Sequence, residues 1–331
     1  MRIGSNPNNH KTIDLNAASH RVIIPIYIPN AEGYFKDSFA VLKVCIHSLL
    51  ATVNKDTVVS LISNGSSEEV NNYIKELWSQ GKIDRAVFNK ENVGKMNAII
   101  AETRASFEEF ITYSDADVFF DKGWLQQTFD MFRHVPKAGF VSMNPTPRNY
   151  SHADSTLFDN LFTVLFKKRK TSDVCAFDDL AHFHKSVGQN NEFTEKMFAG
   201  TVFCVGKHLN YIIGAGHFCC TIRKTPTLRF VPKEKSYIGV SGGSESIYLD
   251  IPFDKTGLWR LSSPKACVWH MGNTLEKEWT ECKLNALKEY NEKEFSFQVL
   301  PFQDVSFLAK IIPYFIRSKT SRLLKKIKIL S

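Results

Sequence analysis

The sequence predicts an α/β fold built on a mostly parallel sheet with helices on both of its faces. Two observations predict it. Short, apolar, β-prone stretches alternate with helical stretches through the first 120 residues, and the last of these apolar stretches carries two aspartates one residue apart. Alternation of strands and helices is typical of parallel sheets. Ligands of such sheets bind at the carboxyl ends of the strands.

The first half of the chain contains four predicted strands joined by three predicted helices. The strands are expected at Val22–Pro29, Thr57–Ser63, Ile83–Phe88 and Phe110–Phe120. The helices are expected at Ser38–Val53, from Glu68 to about Gln80, and from Lys95 to about Glu108. Apolar residues at helical spacing, Ser67 before two glutamates and Gly81 after Gln80 support these assignments. We expect the tips after Tyr27, after Ser63 and at Asp115–Asp117 to line one crevice.

The second half is less regular, and its strands are shorter. Strands are predicted at Phe140–Asn144, Phe198–Val205 and Ala266–Trp269, and residues 150–195 are predicted to be mainly helical. A loop rich in glycine and serine, Gly239–Ser244, precedes Glu245.

Composition limits the function classes. The formal charge of +8 suits an anionic partner, which could be nucleotide phosphates, nucleic acid or an acidic membrane surface. Of these three we expect no nucleic-acid partner. The seven cysteines are odd in number and form no Cys-x-x-Cys pattern, which indicates reduced thiols and a cytoplasmic protein. The polar start predicts no signal peptide, and no run of 18 apolar residues predicts a membrane span.

The acidic stretch Tyr113-Ser114-Asp115-Ala116-Asp117 is the strongest functional signal. Burying two neighbouring carboxylates is costly unless a positive charge neutralises them. A divalent cation would do so, because it prefers oxygen ligands, and it would leave positions open for phosphate oxygens. The alternative is a turn whose aspartates cap a helix beginning near Gly123.

Four stretches together resemble the GT-A nucleotide-sugar glycosyltransferases, and in particular the large inverting family 2. They are the strand Val22–Pro29, the stretch Gly94-Lys95-Met96-Asn97-Ala98, the Asp115-Ala116-Asp117 turn, and Glu245–Leu249 followed by Lys255-Thr256-Gly257. The resemblance covers about residues 20 to 272 and implies a Rossmann-like GT-A fold.

The resemblance also implies roles for individual residues. Asp117 and the late histidine His270 would hold Mn²⁺, or else Mg²⁺, and the metal would neutralise the leaving diphosphate. The donor would contact five residues, which are Pro25, Tyr27, Asn64, Lys95 and Asp115. Solvated or structural roles remain open for Lys95 and His270.

Two positions depart from the family pattern. An acidic residue commonly follows the second strand, but this chain has Asn64, which would bind the nucleotide through its amide. The general base is usually the second acid of a Glu-Asp pair, but this chain has Ser246 there. Glu245 is then the nearest candidate base, with Asp250 as a second candidate. A helix-stabilising role for Glu245 is the alternative.

These implications divide the chain into four parts. Residues 1–20 are an extension, residues 21–145 the nucleotide-sugar-binding half, residues 146–275 the acceptor-binding and catalytic half, and residues 276–331 a helical C-terminal segment. The expected function is metal-assisted sugar transfer to a hydroxyl of a surface polysaccharide or lipid-linked glycan. A non-catalytic glycan- or partner-binding module is the alternative, and a sugar-phosphate nucleotidyltransferase is a further one.

The C-terminal segment, residues 303–331, holds seven basic residues and one acidic residue, so it carries +6 of the formal charge. Apolar residues recur between the charges at helical spacing, and Pro313 should interrupt the helix. A basic amphipathic helix of this kind predicts peripheral binding to an anionic membrane surface. Packing on the protein's own core or on a partner remains open.

Overall fold

The computed structural model describes residues 3–5, 18–148, 154–160, 168–189, 192–205, 210–239, 243–288, 290, 302–303 and 311–326. Most of the predicted N-terminal extension, and residues 304–310 and 327–331 of the C-terminal segment, lie outside these ranges.

One large sheet runs through the described chain and includes strands from both predicted halves. The strands are β1 (His20–Ile26), β2 (Thr57–Asn64), β3 (Arg85–Asn89), β4 (Phe110–Ser114), β5 (Val118–Phe120), β6 (Ala138–Ser142), β7 (Lys168–Lys170), β8 (Thr201–Val205), β9 (Tyr211–Ile213), β10 (Cys219–Arg223), β11 (Trp259–Ser262) and β12 (Val268–His270). The ten strands of the large sheet follow the order β3-β2-β1-β4-β10-β6-β11-β9-β8-β7, and β12 pairs with β5 separately.

Helices cover both faces of this sheet, as the sequence predicts. They are α1 (Ser38–Thr52), α2 (Glu68–Ser79), α3 (Lys95–Ala105), α4 (Trp124–His134), α5 (Asp154–Asp159), α6 (Phe177–Ser186), α7 (Glu195–Phe198), α8 (Lys224–Leu228), α9 (Ile251–Lys255), α10 (Lys277–Lys288) and α11 (Tyr314–Lys326). The core on one face includes residues of α1, α2 and α4, and the core on the other face includes residues of α3 and α9.

Strand β1 lies between β2 and β4 and is parallel to both. Its side chains alternate between the two cores, with Val22 and Ile24 on one face and Ile23 on the other. All three are fully buried. This explains why the strand reads as a continuous apolar run, since parallel strands are covered on both faces.

The second half of the sheet is mixed, and most of its strands are absent from the sequence prediction. Strand β10 lies between β4 and β6 and is antiparallel to both, while β11 is parallel to β6 and antiparallel to β9. Strands of three to five residues carry too little periodicity to be separated from loops by pattern alone. The expected strand at Phe198–Val205 begins at Thr201, because Phe198 ends the short helix α7.

The acidic stretch is two strands rather than one. Strand β4 ends at Ser114, the residues from Asp115 to Asp117 form a turn, and β5 begins at Val118 in the small two-stranded sheet. The chain thus leaves the large sheet at the aspartates. Their side chains stand at the carboxyl end of β4, where the fold class places ligands.

Candidate active site

The pairing of β5 with β12 brings His270 to the acidic turn. His270 lies opposite Val118, and the backbone N–H of Met271 donates to the carbonyl of Asp117 at 2.8 Å. On the other side of the turn, the N–H of Asp115 donates to the carbonyl of Phe218 at 2.7 Å. Residues 153 positions apart are therefore adjacent, as the resemblance implies for Asp117 and His270.

Asp117 and His270 face each other directly. Nε2 of His270 lies 3.3 Å from Oδ2 of Asp117. The second oxygen, Oδ1, is buried and accepts no hydrogen bond from any described residue. Burial raises the pKa of Asp117 to about 6, with the charge of Asp115 acting in the same direction and that of His270 opposing it. Oδ1 therefore lacks the partner that a buried charged oxygen needs.

The hydrogen bonds of His270 indicate which of its two ring nitrogens carries a hydrogen. Nδ1 lies 3.1 Å from the hydroxyl of Ser186, and that hydroxyl donates to the carbonyl of Phe183 at 2.9 Å. The hydroxyl has one hydrogen, so it accepts from Nδ1–H, and a neutral His270 presents the Nε2 lone pair to Asp117. Such an arrangement is typical of histidines that bind metals.

These features fit a divalent cation. The unpartnered Oδ1 of Asp117, its neighbour Oδ2 and the Nε2 lone pair of His270 form a carboxylate-plus-imidazole donor set, which suits Mn²⁺. No group of three or more His, Cys, Asp or Glu side chains in the described part of the chain could hold a metal ion. Diphosphate oxygens and water would therefore complete the coordination shell.

Lys95 and Asp115 form an ion pair at the start of α3. Nζ of Lys95 contacts Oδ1 of Asp115, and the two side chains are 17% and 29% exposed. Burial alone would lower the pKa of Lys95, but the charge and hydrogen bond of Asp115 raise it above its usual value. Lys95 is therefore a cation at neutral pH. It also lies at a helix N-terminus, where backbone N–H groups favour anions.

Asn64 positions the loop that carries Lys95. Its Oδ1 accepts from the N–H of Val93 and from Nδ2 of Asn89, both at 3.1 Å, and its Nδ2 donates to Asn92 at 2.8 Å. A Cβ on the neighbouring Gly65, whose φ is +81°, would lie 2.8 Å from the backbone N of Asn92, so the close approach of these loops requires glycine. Asn64 is 2% exposed, and its Oδ1 is already occupied.

A cleft of about 1060 Å³ opens at the carboxyl ends of the parallel strands. All five residues predicted to contact the donor line it, namely Pro25, Tyr27, Asn64, Lys95 and Asp115. The expectation that these strand tips share a crevice is therefore confirmed for Tyr27, Asn64 and Asp115. Asp117, His270 and Glu245 are not among the residues that line this cleft.

The loop of residues 232–239 forms another wall of the cleft, which the sequence analysis did not anticipate. Asn97 holds it from α3 through two hydrogen bonds with the backbone of Ser236, at 2.7 and 2.8 Å. Lys233, Lys235 and the exposed Tyr237 bring positive charge and an aromatic ring to the cleft. The alternation of lysine and glutamate in this loop resembles an ordinary solvated segment, so its sequence carries no specific signal.

The two candidate bases differ in environment. Glu245 is partly exposed, accepts a hydrogen bond from the hydroxyl of Ser244 at 2.9 Å, and its charge acts on Lys95. Asp250 is 5% exposed and accepts hydrogen bonds from Arg260 and His217. Burial would raise the pKa of Asp250, but these two partners hold it well below its usual range. Asp250 is thus a poor direct proton acceptor.

The parallel strands with helices on both faces, the cleft at their carboxyl ends and the acidic turn beside it are the features expected of the GT-A fold. The model of a known family, described as "Glycosyl transferase family 2", matches residues 22–186. This part of the chain is therefore similar to family 2 glycosyltransferases, and it contains most of β1, the strands from β2 to β7, Lys95 and the acidic turn. His270 and Glu245 lie beyond the matched range.

Solved structures of similar fold are glycosyltransferases of low sequence identity. The mannosyltransferase PcManGT from Pyrobaculum calidifontis, in complex with GDP-Man and Mn²⁺, is 13% identical over 78% of this chain and 61% of that chain, with a TM-score of 0.42. TarS 1-349 from S. aureus is 12% identical over 76% and 60%, with a TM-score of 0.44. GalNAc-T7 with UDP, GalNAc and Mn²⁺ is 14% identical over 78% and 44%, with a TM-score of 0.45.

The chain thus covers less than two thirds of the length of each of these proteins. No curated protein matches it by sequence.

Proposed function

We propose that this protein transfers a sugar from a nucleoside-diphosphate sugar to a hydroxyl group of a glycan or lipid-linked acceptor. The observation that carries the proposal is the cleft at the strand tips. It is lined by Lys95, Lys233 and Lys235, which suit a diphosphate, and it lies beside a turn where an unpartnered carboxylate faces a histidine. The donor would lie along the strand tips with its diphosphate at the start of α3.

A divalent cation would be held by Asp117 and His270. When bound, it would supply positive charge where negative charge develops on the leaving diphosphate. In this proposal Lys95 binds phosphate oxygens, Asn64 positions the loop that carries Lys95, and the loop of residues 232–239 forms one wall of the donor cleft. Glu245 is the group that the sequence predicts to take the acceptor's proton.

The first test is a panel of nucleotide sugars with Mn²⁺, read by thermal shift and by product analysis. A donor at about 100 times its dissociation constant should stabilise the fold by roughly 2.7 kcal/mol. We expect one donor class to raise the melting temperature and to release nucleoside diphosphate. Release of pyrophosphate instead would indicate a nucleotidyltransferase, and stabilisation without turnover in the presence of acceptor would indicate a binding module.

We propose further that α11 binds the protein to a membrane surface, where the protein meets its acceptor. Arg317 and Ser318 on one side of α11 are buried, and Arg317 contacts the hydroxyl of Ser155 in α5. On the other side, Phe315, Ile316 and Leu323 are 59%, 42% and 57% exposed. The helix therefore turns polar residues toward the protein and apolar residues outward, which is the reverse of an ordinary surface helix.

Lys319 is exposed between these apolar residues, and further basic residues follow in the sequence. An apolar face bordered by cations is complementary to an anionic lipid surface. In the described residues, no helix is long and apolar enough to cross a membrane.

Vesicles of phosphatidylserine and phosphatidylcholine test this surface. We expect Phe315→Gln combined with Leu323→Gln to abolish sedimentation with the vesicles, because both side chains would insert between lipids. Lys319→Glu should weaken binding by at least about fivefold at low salt, since one well-placed cation contributes about 1 kcal/mol. Trp78→Gln is the matched control, because Trp78 is 57% exposed on α2 and should leave binding unchanged.

Point variants are preferable to removal of the segment, because deleting the buried Arg317 would damage the contact with α5. Binding that is indifferent to salt, or that survives the double substitution, would contradict the membrane proposal.

A further inference from the structure

A buried carboxylate and a partly exposed histidine form a pair that the sequence does not indicate. Nε2 of His217 lies 2.8 and 3.0 Å from the two carboxylate oxygens of Asp250. Arg260 donates to the same carboxylate and so helps to keep Asp250 ionised although it is buried. Asp250 and Arg260 are almost fully buried, whereas the side chain of His217 is 31% exposed. Only the imidazole of this trio is accessible to a substrate.

The pair determines the tautomer of His217. An ionised Asp250 can only accept hydrogen bonds, so Nε2 of His217 carries the hydrogen. In the neutral imidazole, Nδ1 then has the lone pair and is free to accept a proton. A carboxylate that orients an imidazole and stabilises its protonated form is the arrangement by which histidine acts as a general base in hydrolytic triads.

His217 does not line the cleft, but its neighbour in the chain, Phe218, contacts the acidic turn. The next residue, Phe218, accepts the backbone hydrogen bond of Asp115 at 2.7 Å. The ring of Phe218 packs edge-on against the ring of His270, with centroids 5.5 Å apart. The neighbour of His217, Phe218, therefore contacts both Asp115 of the proposed donor site and His270 of the proposed metal site.

Asp250 is also close in the chain to a residue of the cleft. It lies two residues after Tyr248, which lines the cleft together with Lys95 and Asp115. Burial raises the pKa of the Cys220 thiol to about 12, and the charges that act on this thiol include both Asp250 and Asp115. Position 246, four residues before Asp250, is a serine and offers no carboxylate.

We propose that His217, oriented by Asp250, accepts the proton of the acceptor hydroxyl, an inference that rests on the proposed glycosyl transfer. The acceptor oxygen forms a bond to the anomeric carbon as the bond from that carbon to the diphosphate oxygen breaks. The diphosphate leaves with the bonding electron pair, and the hydroxyl proton passes to Nδ1 of His217. Nε2–H stays hydrogen-bonded to Asp250, whose negative charge stabilises the imidazolium. Asp250 is a positioning residue in this step.

The test compares His217→Gln with Glu245→Gln in the full chain, with the donor identified by the panel. We expect His217→Gln to lower the kcat of transfer by about 100-fold, because general base catalysis contributes at least that factor. Its donor dissociation constant should stay within about twofold, since the base acts in the transition state. His47→Gln is the matched control, because His47 is exposed on α1 and should leave kcat unchanged.

A second variant distinguishes loss of the base from damage to the fold. His217→Ala should recover part of its lost activity when imidazole is added, whereas the wild-type rate and the Glu245→Gln rate should not rise. Wild-type transfer by His217→Gln, or a large loss confined to Glu245→Gln, would overturn the assignment and give the role to Glu245. If the wild-type protein transfers sugar from no donor in the panel, the proposed function itself fails, and this inference fails with it.

Discussion

We expect Asp117→Asn to lower turnover by about two to three orders of magnitude and to abolish tight binding of Mn²⁺. Asparagine keeps the shape of the side chain but removes the charge that would hold the cation. The magnitude follows from the loss of one charge contact in the transition state. Turnover with the best donor and calorimetric titration with Mn²⁺ alone measure the two effects separately.

The stability of the same variant gives an independent result. Oδ1 of Asp117 is buried without a hydrogen-bond partner among the described residues, and burial raises the pKa of this carboxyl to about 6. An uncharged amide at this position should therefore leave the melting temperature of the metal-free protein unchanged or raise it. A purely structural aspartate would instead lose stability. Asp178→Asn, at an exposed position in α6, is the control for both measurements.

Full activity of Asp117→Asn, or unchanged Mn²⁺ affinity, would rule out the metal role of this residue. A large fall in melting temperature would indicate that Asp117 supports the turn between β4 and β5 instead.

The first half of the fold could be predicted because its signals are local. Strands β1 and β2 are largely apolar runs of seven and eight residues, and the start of α3 at Lys95 follows the prediction to the residue. The crevice followed from topology, since parallel strands present their carboxyl ends at one edge. Asp115 and Lys95 meet there although 20 positions separate them, and the resemblance to known enzymes had already placed both at the donor site.

The second half could not be predicted in the same way, because its site depends on contacts between distant residues. His270 could be suggested only by resemblance, and its orientation depends on Ser186 and Phe183 in α6, which carry no sequence signal of their own. His217 follows a Gly-Ala-Gly segment and looks like a loop residue. Only the folded structure shows that His217, just before β10, hydrogen-bonds to Asp250, and that β10 pairs with β4.

Asn64 shows a different limit. The resemblance predicts that its amide binds the nucleotide, and in the structure this amide hydrogen-bonds to Asn89, Asn92 and Val93. A polar residue at a strand tip can either contact a ligand or position a loop that does so, and the sequence alone does not distinguish the two. The distinction requires knowing where each hydrogen bond goes.

The second large effect is expected for Lys95→Met, which should lower kcat/KM for the donor by about two to three orders of magnitude and raise the donor dissociation constant. Lys95 is 17% exposed, its pKa is raised by Asp115, and it stands at the first residue of α3. Methionine keeps much of the length and the apolar stem but removes the cation, so the leaving diphosphate would lose a charge-assisted hydrogen bond. Steady-state kinetics and a binding titration with the nucleoside diphosphate measure both parameters.

A double-mutant cycle with Asp115→Asn separates the two roles open to this lysine. If Lys95 contacts phosphate, Lys95→Met should cost nearly as much in the Asp115→Asn background as in the wild type. If Lys95 serves only to neutralise Asp115, the second substitution should suppress the loss. Lys75→Met is the matched control, because Lys75 pairs with Glu68 on the surface of α2 and exposed pairs of this kind contribute little. Suppression of the loss by Asp115→Asn, or wild-type kinetics in Lys95→Met, would remove Lys95 from the phosphate site.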